Sequence, residues 1–141
     1  MKTILFELVT PQSTTYKDTV DEVTLPAQEG QITILPGHIP LITALKAGEI
    51  ILRKNKEETY FATSGGYAEA TGRGVRVLAD SAQEAEEIDE LKAIEAKKRA
   101  EERLKDARES VEFANASALL EKSLAQLKVA QRKRKGRSTK I

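Results

Sequence analysis

Apolar residues alternate along the first part of this chain and recur at helical spacing along the rest. Ile4, Phe6 and Leu8 share one parity and Leu5, Glu7 and Val9 the other, so Ile4–Val9 predicts a strand. Tyr16–Leu25 predicts one or two short strands, with Val20 and Val23 inward. Pro26–Gly30 reads as a turn and Gln31–Leu35 as a strand rich in β-branched residues. Leu41–Leu45, Glu49–Lys54, Thr59–Thr63, Tyr67–Ala70 and Val75–Ala79 continue the series. Lys46-Ala47-Gly48, the charged end Arg53–Glu58, Ser64-Gly65-Gly66 and Thr71–Gly74 punctuate it. At least eight short strands at this spacing imply an all-β sandwich or barrel.

The period changes across Val77–Asp89. Asp80 or Ser81 is placed to cap a helix, with Glu84, Glu86 and Glu87 near its positive end. Ala93, Ala100 and Ala107 then repeat at seven, as do Leu104 and Val111. Phe113, Leu120 and Leu127 form a second set, with Ser117 and Leu124 beside it. Glu109–Glu112 separates the sets without a helix breaker, so the pattern permits either a two-helix hairpin or one extended rod. One seam is mostly Ala and the other mostly Leu. An Ala methyl gains far less on burial than a Leu side chain, which contributes ~1.5–3 kcal/mol. Such a hairpin should be able to open. The expected division is residues 1–84 as a β-sandwich, 85–131 as a two-helix domain, and 132–141 as a basic, flexible tail.

Composition narrows the chemistry. The chain has no Cys and one His, which removes disulfides and thiolate metal sites and disfavours histidine triads. No phosphate-binding loop, nucleophile elbow or zinc-protease motif occurs. His38 has no second base or thiol beside it in the sequence, so an interface role outweighs a catalytic one. No apolar run reaches membrane-spanning length, and Glu7 interrupts the N-terminal run too early for a signal peptide. Net charge is +1, but the last ten residues hold Arg132, Lys133, Arg134, Lys135, Arg137 and Lys140 with no acid. Such a tail suits nucleic acid, anionic lipid or an acidic protein surface. Few aromatics and no basic surface in the β region argue against nucleic acid.

Three stretches together resemble a known family. Ile34–Gly48, containing Leu35-Pro36-Gly37-His38-Ile39-Pro40-Leu41, is similar to the loop region of the epsilon subunit of bacterial F-type ATP synthase. Ser64–Glu69 with Val75–Asp80 resembles the segment that follows in that family. Glu84–Asp89 and Ala118–Ala130 resemble its helical region. The resemblance runs from Thr3 to about Ala130. It implies a sandwich of about ten strands followed by a helical hairpin. It also implies a non-catalytic central-stalk subunit of a proton-translocating complex, peripheral on the cytoplasmic face of the membrane. The sandwich would meet the gamma subunit and the membrane rotor ring. The helices would inhibit ATP hydrolysis when extended into the alpha/beta head. Competing readings are a stand-alone nucleotide-sensing module and a basic-tailed adaptor.

The resemblance assigns residues to these roles. Pro36, Gly37, His38 and Pro40 form a stiffened docking loop. Glu29 and Gln31 face the rotor ring, with Gln31 standing where an acid is common. Some relatives bind ATP in the folded hairpin through Ile/Leu-Asp-x-x-Arg-Ala. Here that motif reads Ile88-Asp89-Glu90-Leu91-Lys92-Ala93, with Arg99 matching a later position. Lys92 replaces an arginine, Lys122 and Gln126 stand where two more are expected, and Gln83 replaces an acid. Lysine lacks arginine's planar fork, so ATP, which the chain does not require, should bind more weakly than in those relatives. Lys122, Lys128, Arg132, Lys133, Arg134 and Lys135 are the cations expected to meet the head.

Overall fold

The computed structural model describes residues 2–138, with side chains described as far as Arg132. Ten strands come first: β1 Ile4–Val9, β2 Thr14–Val20, β3 Glu22–Ala27, β4 Gly30–Ile34, β5 Leu41–Leu45, β6 Gly48–Lys54, β7 Glu57–Thr63, β8 Gly66–Ala70, β9 Gly74–Ala79 and β10 Ala82–Glu84. A single 3-10 turn at Ala85–Glu87 leads to helices α1, Glu90–Asp106, and α2, Ser110–Ser138. The strands pair in the order β10-β7-β6-β3-β5-β8-β9-β1-β2, with β4 on β3. All pairs are antiparallel except β1 with β9.

The predicted parity holds. Ile4, Phe6 and Leu8, then Val20, Val23, Ile50, Leu52, Phe61, Val75 and Val77, all point into one aliphatic core. Tyr16 meets Phe61 edge-on at 5.1 Å, and Lys54 Nζ lies 3.0 Å from Asp18 Oδ1. Those contacts bring β2, at one end of the strand path, over β6 and β7 near the other. The sheet thereby closes on its own core as a sandwich.

Turn chemistry fixes the register. Asn55 and Lys56 both have positive φ, 52° and 69°, which matches the twist of a two-residue hairpin. A Cβ on Gly66 would lie 2.0 Å from the Leu78 carbonyl oxygen, so only glycine lets β8 approach β9 there. Pro26 and Ala27, expected in a turn, instead finish β3. Pro26 lacks an N–H, but its carbonyl accepts from Lys46 N at 2.9 Å, so only Gln28 and Glu29 turn.

The helix does not start at Asp80 or Ser81. Ser81 Oγ donates to Ser64 Oγ at 2.8 Å. Ala82–Glu84 is drawn onto the β7 edge, pairing Gln83 with Ala62. Asp89 is the cap, and its carboxylate accepts from Leu91 N and Lys92 N at 3.1 and 3.3 Å.

Of hairpin and rod, the chain takes the hairpin. Ala107 turns extended at ψ 122°, and the Glu112 carboxylate accepts from Arg108 N at 3.3 Å, so the reversal needs neither Gly nor Pro. α2 lies between α1 and the outer face of β6 and β7. Ala125 and Val129 face the sandwich. Ala116, Ser123 and Leu127 are buried on other sides of the helix, where α1 packs. Of the expected seam through Phe113, Leu120 and Leu127, Leu127 is buried and Leu120 half-buried, whereas Phe113 and the neighbouring Leu124 are exposed. The tighter stripe through Ala116 and Ser123 lets the alanine-lined α1 approach closely. Residues 132–138, set apart as a tail by their charge, continue α2, since Lys and Arg are good helix formers.

Candidate functional site

Alternation puts Glu49, Ile51 and Arg53 of β6 on the outside of the sandwich, opposite Ala62, Tyr60 and Glu58 of β7. α2 covers part of this face. Ala125 and Val129 pack against Ala62 and Ala85, with Tyr60 and Ile88 at the margin. Beside that small apolar contact lies a buried acid, Glu49, only 6% exposed. Arg132 NH2 is 2.8 Å and Lys128 Nζ 3.5 Å from its Oε1. The Arg132 guanidinium also lies over the Tyr60 ring, 5.5 Å from its centroid. Tyr60 donates its hydroxyl to Glu58, and Arg53 reaches Glu58 at 2.6 Å. Burial, then Glu58, pushes the Tyr60 hydroxyl pKa up. The Arg53 hydrogen bond, then that of Tyr60, holds the Glu58 carboxyl below its usual range. A polar chain therefore runs from Arg53 to Glu49 and fastens the second helix.

The residues matched to the ATP motif split by position. Ile88 packs beside the small apolar contact, Asp89 caps α1, and Ala93 is buried. These three have structural work that explains them without a nucleotide. Lys92 and Arg99, seven residues apart, lie exposed on one side of α1. Lys122, Gln83 and Gln126 line a separate cavity of about 100 Å³, below the ~300 Å³ at which ligand pockets begin. Gln126 Nε2 donates to Gln83 Oε1 at 2.5 Å across it. An uncharged amide pair thus joins β10 to α2.

The expected docking residues fall at two ends of β4. Glu29, in the turn before it, and Gln31, within it, are exposed. Gln31 also borders a polar cleft of about 740 Å³ with Lys46, Glu49, Asp80, Glu121 and Lys128. Pro36, Gly37, His38 and Pro40 follow the strand's other end. There His38 N donates to Leu35 O at 3.1 Å, Gly37 takes φ 85°, and His38 Nδ1 lies 2.7 Å from Ile39 O. Of the expected inhibitory cations, Lys128 and Arg132 bind Glu49 and Lys122 lines the small cavity. The side chains of Lys133, Arg134 and Lys135 lie outside the described residues.

Sequence reasoning missed two features. Glu49 was one, although the outward parity of Ile51 and Ala62 signals a covered face. The other is an open apolar face. Ala44, Tyr67, Leu78 and Val9 form one outward row across β5, β8, β9 and β1, and Ile42, Glu69, Arg76 and Glu7 the next. Ile42 is 75%, Tyr67 62% and Leu78 52% exposed, and Leu35 and Ile39 of the adjoining loop are exposed as well. Apolar residues at outward positions were its signal.

Comparison with known proteins agrees with this architecture. The family model described as ATP synthase, Delta/Epsilon chain, beta-sandwich domain matches residues 3–85, and its long alpha-helix domain matches residues 86–131. The ATP synthase epsilon chain of Syntrophobacter fumaroxidans is 42% identical over 92% of this chain and 96% of its own length. That of Dehalococcoides mccartyi is 43% identical over 96% and 97%. A chain in the Euglena gracilis mitochondrial ATP synthase structure (OSCP/F1/c-ring) shares the fold. Its TM-score is 0.79 at 21% identity, covering 92% of this chain and 81% of that one.

Proposed function

The chain belongs to the delta/epsilon family of ATP synthase, as an epsilon-type, non-catalytic subunit of the central stalk, and we propose that its two parts divide docking from regulation. The sandwich binds the gamma subunit through Ile42, Tyr67 and Leu78 and through the loop carrying Pro36, Gly37, His38 and Pro40. Its Glu29–Gln31 end meets the membrane rotor ring. Rotation driven by proton flow then reaches the alpha/beta head, where ATP is made. The complex is membrane-associated and the chain peripheral to it. Among the described residues no helix is long and apolar enough to cross a membrane, and the chain works at the cytoplasmic face. Family membership leaves no ground for a free-standing nucleotide sensor or a nucleic-acid adaptor.

The observation that carries this reading is the outward apolar row through Tyr67 and Leu78, with Ile42 beside it, all more than half exposed on one sheet face. Tyr67→Ser with Leu78→Ser should leave the chain folded and sharply reduce its recovery with gamma. Undiminished recovery would remove the docking role.

The hairpin regulates. Compact on the sandwich it is permissive; extended into the head, Lys122, Lys128, Arg132, Lys133, Arg134 and Lys135 meet acidic residues and hold hydrolysis down. Individual exposed pairs contribute only ~0–1 kcal/mol, so several must act together. Neutralising all six should raise hydrolysis by the reconstituted complex, and unchanged hydrolysis would remove the inhibitory role. Any affinity for ATP at Ile88, Asp89, Lys92, Ala93 and Arg99 falls below that of the relatives that bind it, because Lys92, Lys122, Gln126 and Gln83 lack the charges and forks of the tighter sites. Calorimetry finding micromolar or tighter ATP binding would overturn that expectation.

A further inference from the structure

We propose that Glu49 is an electrostatic latch that competes with the catalytic head for Lys128 and Arg132. The proposal rests on the regulatory reading above and adds a mechanism that needs no nucleotide. Three observations carry it. First, Glu49 is buried on a face of the sandwich that otherwise offers α2 a small apolar contact at Ala62, Ala85, Tyr60 and Ile88 and one amide hydrogen bond to Gln83. Second, the two cations come from one helix, four residues apart, and converge on the same carboxylate oxygen. Third, Arg132 and Lys128 remain 42% and 61% exposed at their side chains while Glu49 is 5% exposed.

That asymmetry sets the direction of control. When α2 leaves, the cations lose little, because they are already half in water. Departure of the helix also uncovers Glu49 to water, so the latch acts in the compact state: there Glu49 is a buried charge held by both cations, and without them it would be buried unpaired, which strongly disfavours that state. Arg132 is further held by the Tyr60 ring, which a lysine would engage less well. The latch thus favours the compact hairpin, and opening frees the same two charges for a second acidic surface. Either contact excludes the other.

The absence of cysteine permits a clean test on the full chain. Labels at Lys56→Cys and Gln131→Cys report the separation of α2 from the sandwich. Glu49→Gln, which leaves two half-exposed cations, should raise the open fraction about two- to fivefold, and Lys128→Gln with Arg132→Gln, which leaves Glu49 buried and unpaired, roughly tenfold or more. Amide exchange at Leu8, Phe61 and Val77 checks that the sandwich stays folded. In the reconstituted complex the two changes should then diverge. Glu49→Gln keeps both cations and releases them, so hydrolysis should fall. Lys128→Gln with Arg132→Gln opens the hairpin but removes the head contact, so hydrolysis should rise. Unchanged label separation in both variants overturns the latch. Opening in both with identical hydrolysis spares the latch but overturns the competition and the head contact behind it.

Discussion

The sandwich and the helix contact are built from different materials. The sandwich core is Phe6, Phe61, Leu8, Leu25, Ile50, Leu52 and their aliphatic neighbours, nearly all of them inaccessible to water. The helix contact is Ala125 and Val129 on Ala62 and Ala85, flanked by Glu49 with its two cations and by the Gln83–Gln126 pair. Large side chains interlock and resist separation. Small ones supply little area, so polar contacts decide whether they stay together. A docking module and a releasable lever need these two kinds of surface, and the chain provides them on opposite sides of β7.

The sharpest way to break the contrast is to weaken the core itself. Phe61 lies beneath the helix-bearing strand and meets Tyr16 edge-on. Phe61→Ala should cost ~3–5 kcal/mol and lower the unfolding midpoint in urea for the whole chain. A loss confined to the helices would mean that the sandwich core is not the stable unit.

Val129→Ala should act on the other material. Removing two methyls from a fully buried site costs about 1–2 kcal/mol by transfer arguments. Amides along α2 should exchange faster while those at Leu8 and Val77 keep their protection. Equal acceleration in both parts would show one cooperative unit.

The same contrast explains what the sequence could reveal. Parity in Ile4–Leu8 and Val75–Ala79 identifies an inward face, because a sheet core demands period 2 whatever packs beyond it. Parity cannot say what covers the outward face. Glu49 therefore reads as a solvated strand end until α2 is in place, and Tyr67 and Leu78 read as ordinary strand residues. The phase of the second helix was legible only in part, for a related reason. A heptad can be drawn through Phe113, Leu120 and Leu127, but α2 has two neighbours and must satisfy both, so Ala116, Ser123, Ala125 and Val129 share the buried positions with Leu127 while Phe113 is left exposed. The Asp89 cap stood in plain view, yet Ser81 and Asp80 were equally good caps on paper. Only the empty edge of β7 decided between them.

A third change tests the joint rather than either face. Asp89→Ala removes the only side-chain cap seen on α1 and should cost about 1 kcal/mol of helix stability. Helical ellipticity should melt earlier, with the sandwich transition unmoved. If ATP bound through Asp89 were the main support of the hairpin, added ATP would restore the melt of the native chain more than that of Asp89→Ala. The weak site expected here predicts little restoration in either.

The smallest effect separates the two materials by pH. Asp18 and Glu58 both have carboxyl pKa values below their ordinary ones. The Lys54 hydrogen bond, then the Thr19 N–H, lowers Asp18, and the Arg53 hydrogen bond, then Tyr60, lowers Glu58. A carboxyl depressed in the folded state binds fewer protons than in the unfolded chain. Its stabilisation is complete above the unfolded value, near pH 4, and is lost as pH falls through the lower folded value. Both groups should therefore make the sandwich less stable on acidification below about pH 4, modestly, because exposed pairs are screened by solvent. They differ in one respect. Asp18 answers to β2 and β6 alone, whereas Glu58 also feels Arg132 across the Tyr60 ring. Replacing Arg132 by Gln should move the Glu58 titration slightly upward and leave Asp18 where it was, read by carboxyl carbon shifts in an NMR titration. If Asp18 moved with it, the helix would be coupled to the entire sandwich rather than to its β6–β7 face.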